Sequence, residues 1–138
     1  MLTQTGEQRT DKIFGIEELK ELCEKWQKRL GLSHWQIEVK IQRSEEMPFK
    51  VWQGTSQECL ETEQALITLL DPMDYPTHSP FRLDMEVSLV HGLLHIPMQY
   101  FAIPNPNTLE HILSEAFIER IARLLVSLAR ECSESRGE

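Results

Sequence analysis

No stretch of the 138 residues approaches the roughly 18–20 consecutive apolar positions that span a bilayer. Met1 to Asp11 is polar and has no apolar core of the kind a secretory signal requires. Cysteine is scarce. Cys23, Cys59 and Cys132 are odd in number, far apart and form no C-x-x-C pair, which argues against a disulfide framework and for a reducing, cytoplasmic setting. Positive charge is also in deficit, with 14 Lys and Arg against 22 Asp and Glu and a formal charge of −8. Nucleic-acid affinity rests largely on clustered Lys and Arg, so neither nucleic acid nor a membrane is an expected partner. What is present is ordinary globular usage, 41% hydrophobic and 26% charged, at a length that suits one domain with a real core.

The hydrophobic pattern predicts one α+β domain over 1–138. Its ordered core runs from about 14 to 130, between a flexible leader (Met1 to Lys12) and a polar tail (Glu131 to Glu138). Ile16, Leu19, Leu22, Cys23, Trp26 and Leu30 recur at helical spacing, and Gly31 stands where a left-handed cap would end that helix. Trp35 to Gln42 alternates apolar and polar residues, as a half-buried strand does. Weaker strand signals at Phe49 to Trp52 and Glu58 to Leu60 flank Gly54-Thr55-Ser56, which reads as a turn. Ala65 to Leu70 is a short apolar strand, and Asp71 to Pro80, with three prolines, is a loop. Two helices follow, about Arg82 to His95 and about Thr108 to Arg130, with Pro97 expected to stop the first near His95. The sheet is expected to be small and mostly antiparallel, with the helices packed on it.

Within the first of these two helices, His91 and His95 are four residues apart. That step turns the helix by about 40°, so both imidazoles can reach one point. Their stripe also carries Asp84 and Ser88, short polar groups that suit a recessed polar site better than open water. Two unrelated histidines, one near a helix C-terminus, would fit the same spacing.

The last helix has an apolar stripe of Leu109, Leu113, Ala116, Phe117, Leu124 and Leu128. Beside it run Ile112, Glu115, Glu119, Ala122 and Val126, an apolar line interrupted by two carboxylates. Buried carboxylates are costly unless paired or bound to a metal. Glu119 can pair with Arg123 four residues on, an arrangement common on exposed helix faces, whereas Glu115 has no basic residue at that spacing. Two imidazoles and one carboxylate make a three-ligand zinc site, and a further carboxylate can accept the other ring N–H of a ligand histidine. Glu115 is the preferred third ligand. His111, one turn earlier, is its rival.

The segments Leu89-Val90-His91-Gly92-Leu93-Leu94-His95 and Ser114-Glu115-Ala116-Phe117-Ile118-Glu119 resemble the zincin metallopeptidases. The likeness is to the gluzincin pattern H-E-x-x-H with a glutamate on the next helix; twenty positions separate His95 from Glu115. From about residue 16 to 130 the chain looks like the small zincin-like domains of bacteria and their phages. The resemblance implies a minimal metallopeptidase fold with an active-site helix, a C-terminal helix and an edge strand, Ala65 to Leu70, bordering the cleft. It also implies one zinc ion on His91, His95 and Glu115, with Glu119 supporting a ligand histidine.

One position departs from the family. Its general-base glutamate follows the first histidine, and here that residue is Gly92. Losing a positioned base costs of order 10²–10⁴ in rate, so ordinary peptidase activity is not expected. The implied protein is a zinc-binding metallopeptidase-like domain with impaired catalysis, in effect a pseudoenzyme. The alternatives are a zinc-dependent hydrolase using a substitute base and a module that holds a peptide or protein in the cleft. Candidate substitutes are Glu58, Glu61 and Glu63 from the sheet region; Glu86 should point away from the histidines, and Tyr100 could donate to an oxyanion. The tryptophans and cysteines read as core, His34 as part of the Gly31 turn, and His78 as a loop residue.

Overall fold

The computed structural model describes residues 10–46, 54–98 and 108–135. Helix α1 (Ile16–Arg29) starts at Gly15, whose N–H donates to the Glu18 carboxylate at 3.0 Å. It ends with Gly31 at φ 73°, the left-handed turn that glycine adopts without steric cost. Leu19, Cys23 and Trp26 are its buried stripe. The side-chain amide of buried Gln27 donates to the carbonyls of Leu32 (3.0 Å) and Trp35 (2.9 Å), which fixes the reversal into the sheet.

Strands β1 (Gln36–Gln42), β2 (Gly54–Cys59) and β3 (Gln64–Leu70) form one sheet in the order β1-β3-β2. The pairing β1–β3 is parallel and β2–β3 antiparallel, so the sheet is mixed rather than mostly antiparallel. Ala65 to Leu70 is therefore the central strand and not the expected edge. Its continuous apolar run is what a strand flanked on both sides and covered by helices requires. Gly54-Thr55-Ser56 opens β2 instead of forming a turn. The reversal lies at residues 60–63, with Glu63 at φ 56°. The strand signal at Phe49 to Trp52 lies outside the described residues.

Helix α2 (Met85–Met98) is apolar nearly all round, and such a helix belongs in the interior. It packs against β2 and β3, α1 and α3. Leu89, Val90, Leu93 and Ile96 are fully buried, whereas His91, Leu94 and His95 keep partial exposure. Pro97 does not stop the helix at His95; it sits in the final turn, where the bond lost with its N–H is one of the last. The start is tied down by residues assigned to the flexible leader: Lys12 N–H donates to Leu83 O (2.8 Å) and Lys12 O accepts from Met85 N–H (3.0 Å).

Helix α3 (Leu109–Ser135) is one 27-residue helix that runs five residues past the expected end of the core. Its buried line is Ile118, Ala122 and Val126. The main apolar stripe read from the sequence is on the outside: its Leu109, Leu113, Phe117, Leu124 and Leu128 are 48–67% exposed. Cys59 and Cys132 are exposed as well, so only Cys23 fits the core reading of the cysteines. Trp26 and Trp35 are core residues, as expected, and Trp52 lies outside the described residues. No helix among the described residues is long and apolar enough to cross a membrane.

Candidate metal centre

The start of α2 carries two buried acids that need a cation, Asp84 just before it and Glu86 in its first turn. Asp84 caps the helix, accepting from the N–H groups of Glu86 and Val87 (both 3.2 Å), and Glu86 accepts from the Trp26 indole N–H at 2.7 Å. Arg130, near the far end of α3, donates to both Asp84 oxygens (2.9 and 3.1 Å) and to Glu86 (2.9 Å). This three-residue clamp fixes the start of α2 beside the end of α3, so the helices run antiparallel. A four-residue step forward on one is then matched by a four-residue step back on the other.

That register brings Glu119 to His91 and Glu115 to His95. His91 Nδ1 lies 2.7 Å from Glu119 Oε1, His91 Nε2 lies 3.0 Å from Glu115 Oε1, and His95 Nε2 lies 3.2 Å from Glu115 Oε2. The two rings stack with centroids 5.2 Å apart. One donor atom from each of His91, His95 and Glu115 lies within 4.8 Å of the other two, close enough to hold a metal ion. Nitrogen and carboxylate oxygen are donors that zinc accepts at about 2.0–2.2 Å.

Glu119 serves both roles considered for it from the sequence. Oε1 meets His91, and Oε2 accepts from Arg123 Nε at 2.8 Å. His111 is not part of the cluster; its backbone N–H donates to the Thr108 hydroxyl at the start of α3.

The electrostatics follow from these contacts. Burial pushes the His91 pKa down, but hydrogen bonds from its ring to Glu115 and Glu119 outweigh it and hold the pKa at about 9. Without a metal ion, both ring N–H groups therefore donate at neutral pH. The Glu115 carboxyl is held far below the usual carboxylate range, first by its bond to His91 and then by that to His95. Glu119 is lowered by His91 despite its partial burial, with Arg123 adding to the effect.

Among the described residues, none of the acids proposed as a substitute base joins this group. Glu86 is turned into the clamp, Glu63 pairs with His34 at 3.2 Å on the exposed sheet end, and neither Glu58 nor Glu61 belongs to the cluster. Asp84 and Ser88 share the histidine stripe but bond to each other's turn, with the Ser88 hydroxyl donating to Asp84 O at 3.3 Å. Tyr100 lies outside the described residues. Gly92 is buried against β3. A Cβ there would lie 3.1 Å from Ile67 Cγ2, so α2 and β3 approach more closely than most residues permit. Ile67 could not have been linked to Gly92 from the sequence, because the contact depends on which face of β3 meets α2. Comparisons of the chain with protein-family models, curated proteins and solved structures find no match.

Proposed function

We propose that the protein is a zinc-binding, metallopeptidase-like domain of zincin type whose peptide-hydrolysing chemistry is impaired. The observation that carries this reading is the convergence of His91, His95 and Glu115 on one point, with Glu119 on the remaining nitrogen of His91. Surface ion pairs do not need a carboxylate on both nitrogens of one imidazole. A metal site accounts for both, since one nitrogen must be aimed at the ion beside the ligand Glu115 and the other held in its N–H form by an acceptor such as Glu119. In this arrangement His91 Nε2, His95 Nε2 and a Glu115 oxygen hold the ion, and Glu119 keeps the proton on His91 Nδ1. Zinc bound there would supply Lewis-acid chemistry and polarise an oxygen ligand.

Hydrolysis also needs a base to take and return a proton. Gly92 offers none, and Ile67 fills the space in front of it. Glu115 and Glu119 are committed to the histidines. Among the described residues, then, the ligands for an ion are present and no carboxylate stands beside them to carry protons, which supports a role in binding or in stability over one in turnover.

Zinc analysis of purified protein beside a His91→Ala variant, with a protease assay on an unstructured protein, tests this function. About one zinc per wild-type chain, little in the variant and no hydrolysis by either are expected. Negligible zinc in both would remove the metal, and zinc-dependent hydrolysis by the wild type would remove the impairment.

A further inference from the structure

Helix α3 has two apolar faces where a helix on a domain surface ordinarily has one. Ile118, Ala122 and Val126 are buried in the fold. On the opposite side Leu109, Leu113, Phe117, Leu124 and Leu128 are 67, 59, 56, 53 and 48% exposed, in line with exposed Arg120. These six positions fall within about 100° of arc, so they form a single ridge along the helix. The five apolar side chains leave on the order of 500 Å² uncovered, at the upper end of what a monomer usually shows in one patch.

The spacing of the ridge is informative. From Leu109 to Leu128 the steps are 4, 4, 3, 4 and 4 residues, the same in either direction. A two-fold axis requires a surface that is its own complement, and a reversible spacing supplies that for two antiparallel helices.

We propose that this face is a homodimer interface in which two α3 helices pack antiparallel about a two-fold axis passing between Ile118 and Glu119. Leu109 then meets the partner's Leu128, and Leu113 meets the partner's Leu124. Phe117 meets the partner's Arg120, whose guanidinium can lie over the ring while its stem covers apolar surface. Each of these contacts occurs twice. With its polar rim, the ridge approaches the roughly 800 Å² per partner of a standard interface. The metal centre lies off the ridge, so the dimer and the ion are independent of one another.

Sedimentation equilibrium of the full chain at up to about 100 µM, a range in which an interface of this size associates, reads the result. Wild type is expected as a dimer. Leu113→Glu, at an exposed position, is expected as a monomer with unchanged helical circular dichroism, and Leu124→Glu is expected to behave alike. The double variant Leu113→Lys, Leu124→Glu sets opposite charges across both crossings and is expected to associate more tightly than Leu113→Glu, Leu124→Glu, a difference that a parallel pairing would not give. A monomeric wild type, a dimer that survives Leu113→Glu, or a Lys/Glu double variant no tighter than the Glu/Glu one would each overturn the proposal.

Discussion

His91 Nδ1 and Glu119 Oε1 are 2.7 Å apart, and this contact determines which nitrogen of the ring is left to face Glu115 and His95. The carboxylate accepts the Nδ1 proton, fixes the tautomer and holds the plane of the ring. Supporting contacts of this kind are worth about 10–100-fold in metal affinity. Glu119→Ala should therefore weaken zinc binding by about that factor while leaving one site per chain, as read by competition titration with a chromogenic chelator. Unchanged affinity would show that Glu119 is only the partner of Arg123.

The pH dependence follows from the same pair of contacts. In metal-free protein the His91 pKa is raised from 6.5 to about 9. Its stabilising contribution is then complete below pH 6.5 and lost as pH rises through about 9. Glu115 and Glu119 are shifted downward from 4.5, so their contribution is present above that value and lost as pH falls through their lowered folded values. The excess Tm of metal-free wild type over His91→Ala should be greatest between about pH 4.5 and 6.5 and disappear above about 9. Zinc must displace the Nε2 proton, so its affinity should rise roughly tenfold per pH unit below 9, with about one proton released per ion. A pH-independent affinity would contradict the doubly bonded His91.

Gly92 and Ile67 form the second constraint on function. Ile67 is 1% exposed and its side chain stands against the Cα of Gly92. Gly92→Glu should destabilise the fold by about 2–4 kcal/mol, because it forces a charged group against a buried isoleucine. It should not restore hydrolysis by itself. In Gly92→Ala the helix-propensity gain of about 1 kcal/mol should be offset by the new contact, and adding Ile67→Ala should relieve it. Urea denaturation of the single and double variants measures the coupling. A fully stable, proteolytically active Gly92→Glu protein would overturn this view of the position.

Among the described residues, Arg130 is the cation that bridges Asp84 and Glu86. Replacing it with Met leaves two acids buried at the start of α2. A loss of roughly 3–5 kcal/mol is expected. Because the clamp also sets the α2–α3 register, zinc affinity should fall with stability. A loss below about 1 kcal/mol would place the register elsewhere.

The sequence was most legible where one local rule sufficed. The α1 stripe, the Gly31 cap and the alternation of β1 each depend on neighbours a few residues away, and each stands where expected. The histidine spacing and the returning glutamates were readable as well, since helix period alone puts each pair on one face. Sheet order was not, because nothing in Ala65 to Leu70 distinguishes a central strand from a buried edge. Which side of α3 faces the core was hidden for a similar reason. Leu109 to Leu128 carries the stronger apolar pattern, but the fold turns inward the side carrying Glu115 and Glu119, whose carboxylates pair with His91, His95 and Arg123. Pattern strength reports that a face wants cover without saying what covers it.

The most direct measurement is the anomalous difference density of crystals grown with zinc, recorded on both sides of the zinc absorption edge. One peak bonded to His91 Nε2, His95 Nε2 and a Glu115 oxygen, and absent from Glu115→Ala crystals, is the expected result. Full zinc with the peak elsewhere, or hydrogen bonds among these three side chains unchanged at saturating zinc, would contradict it.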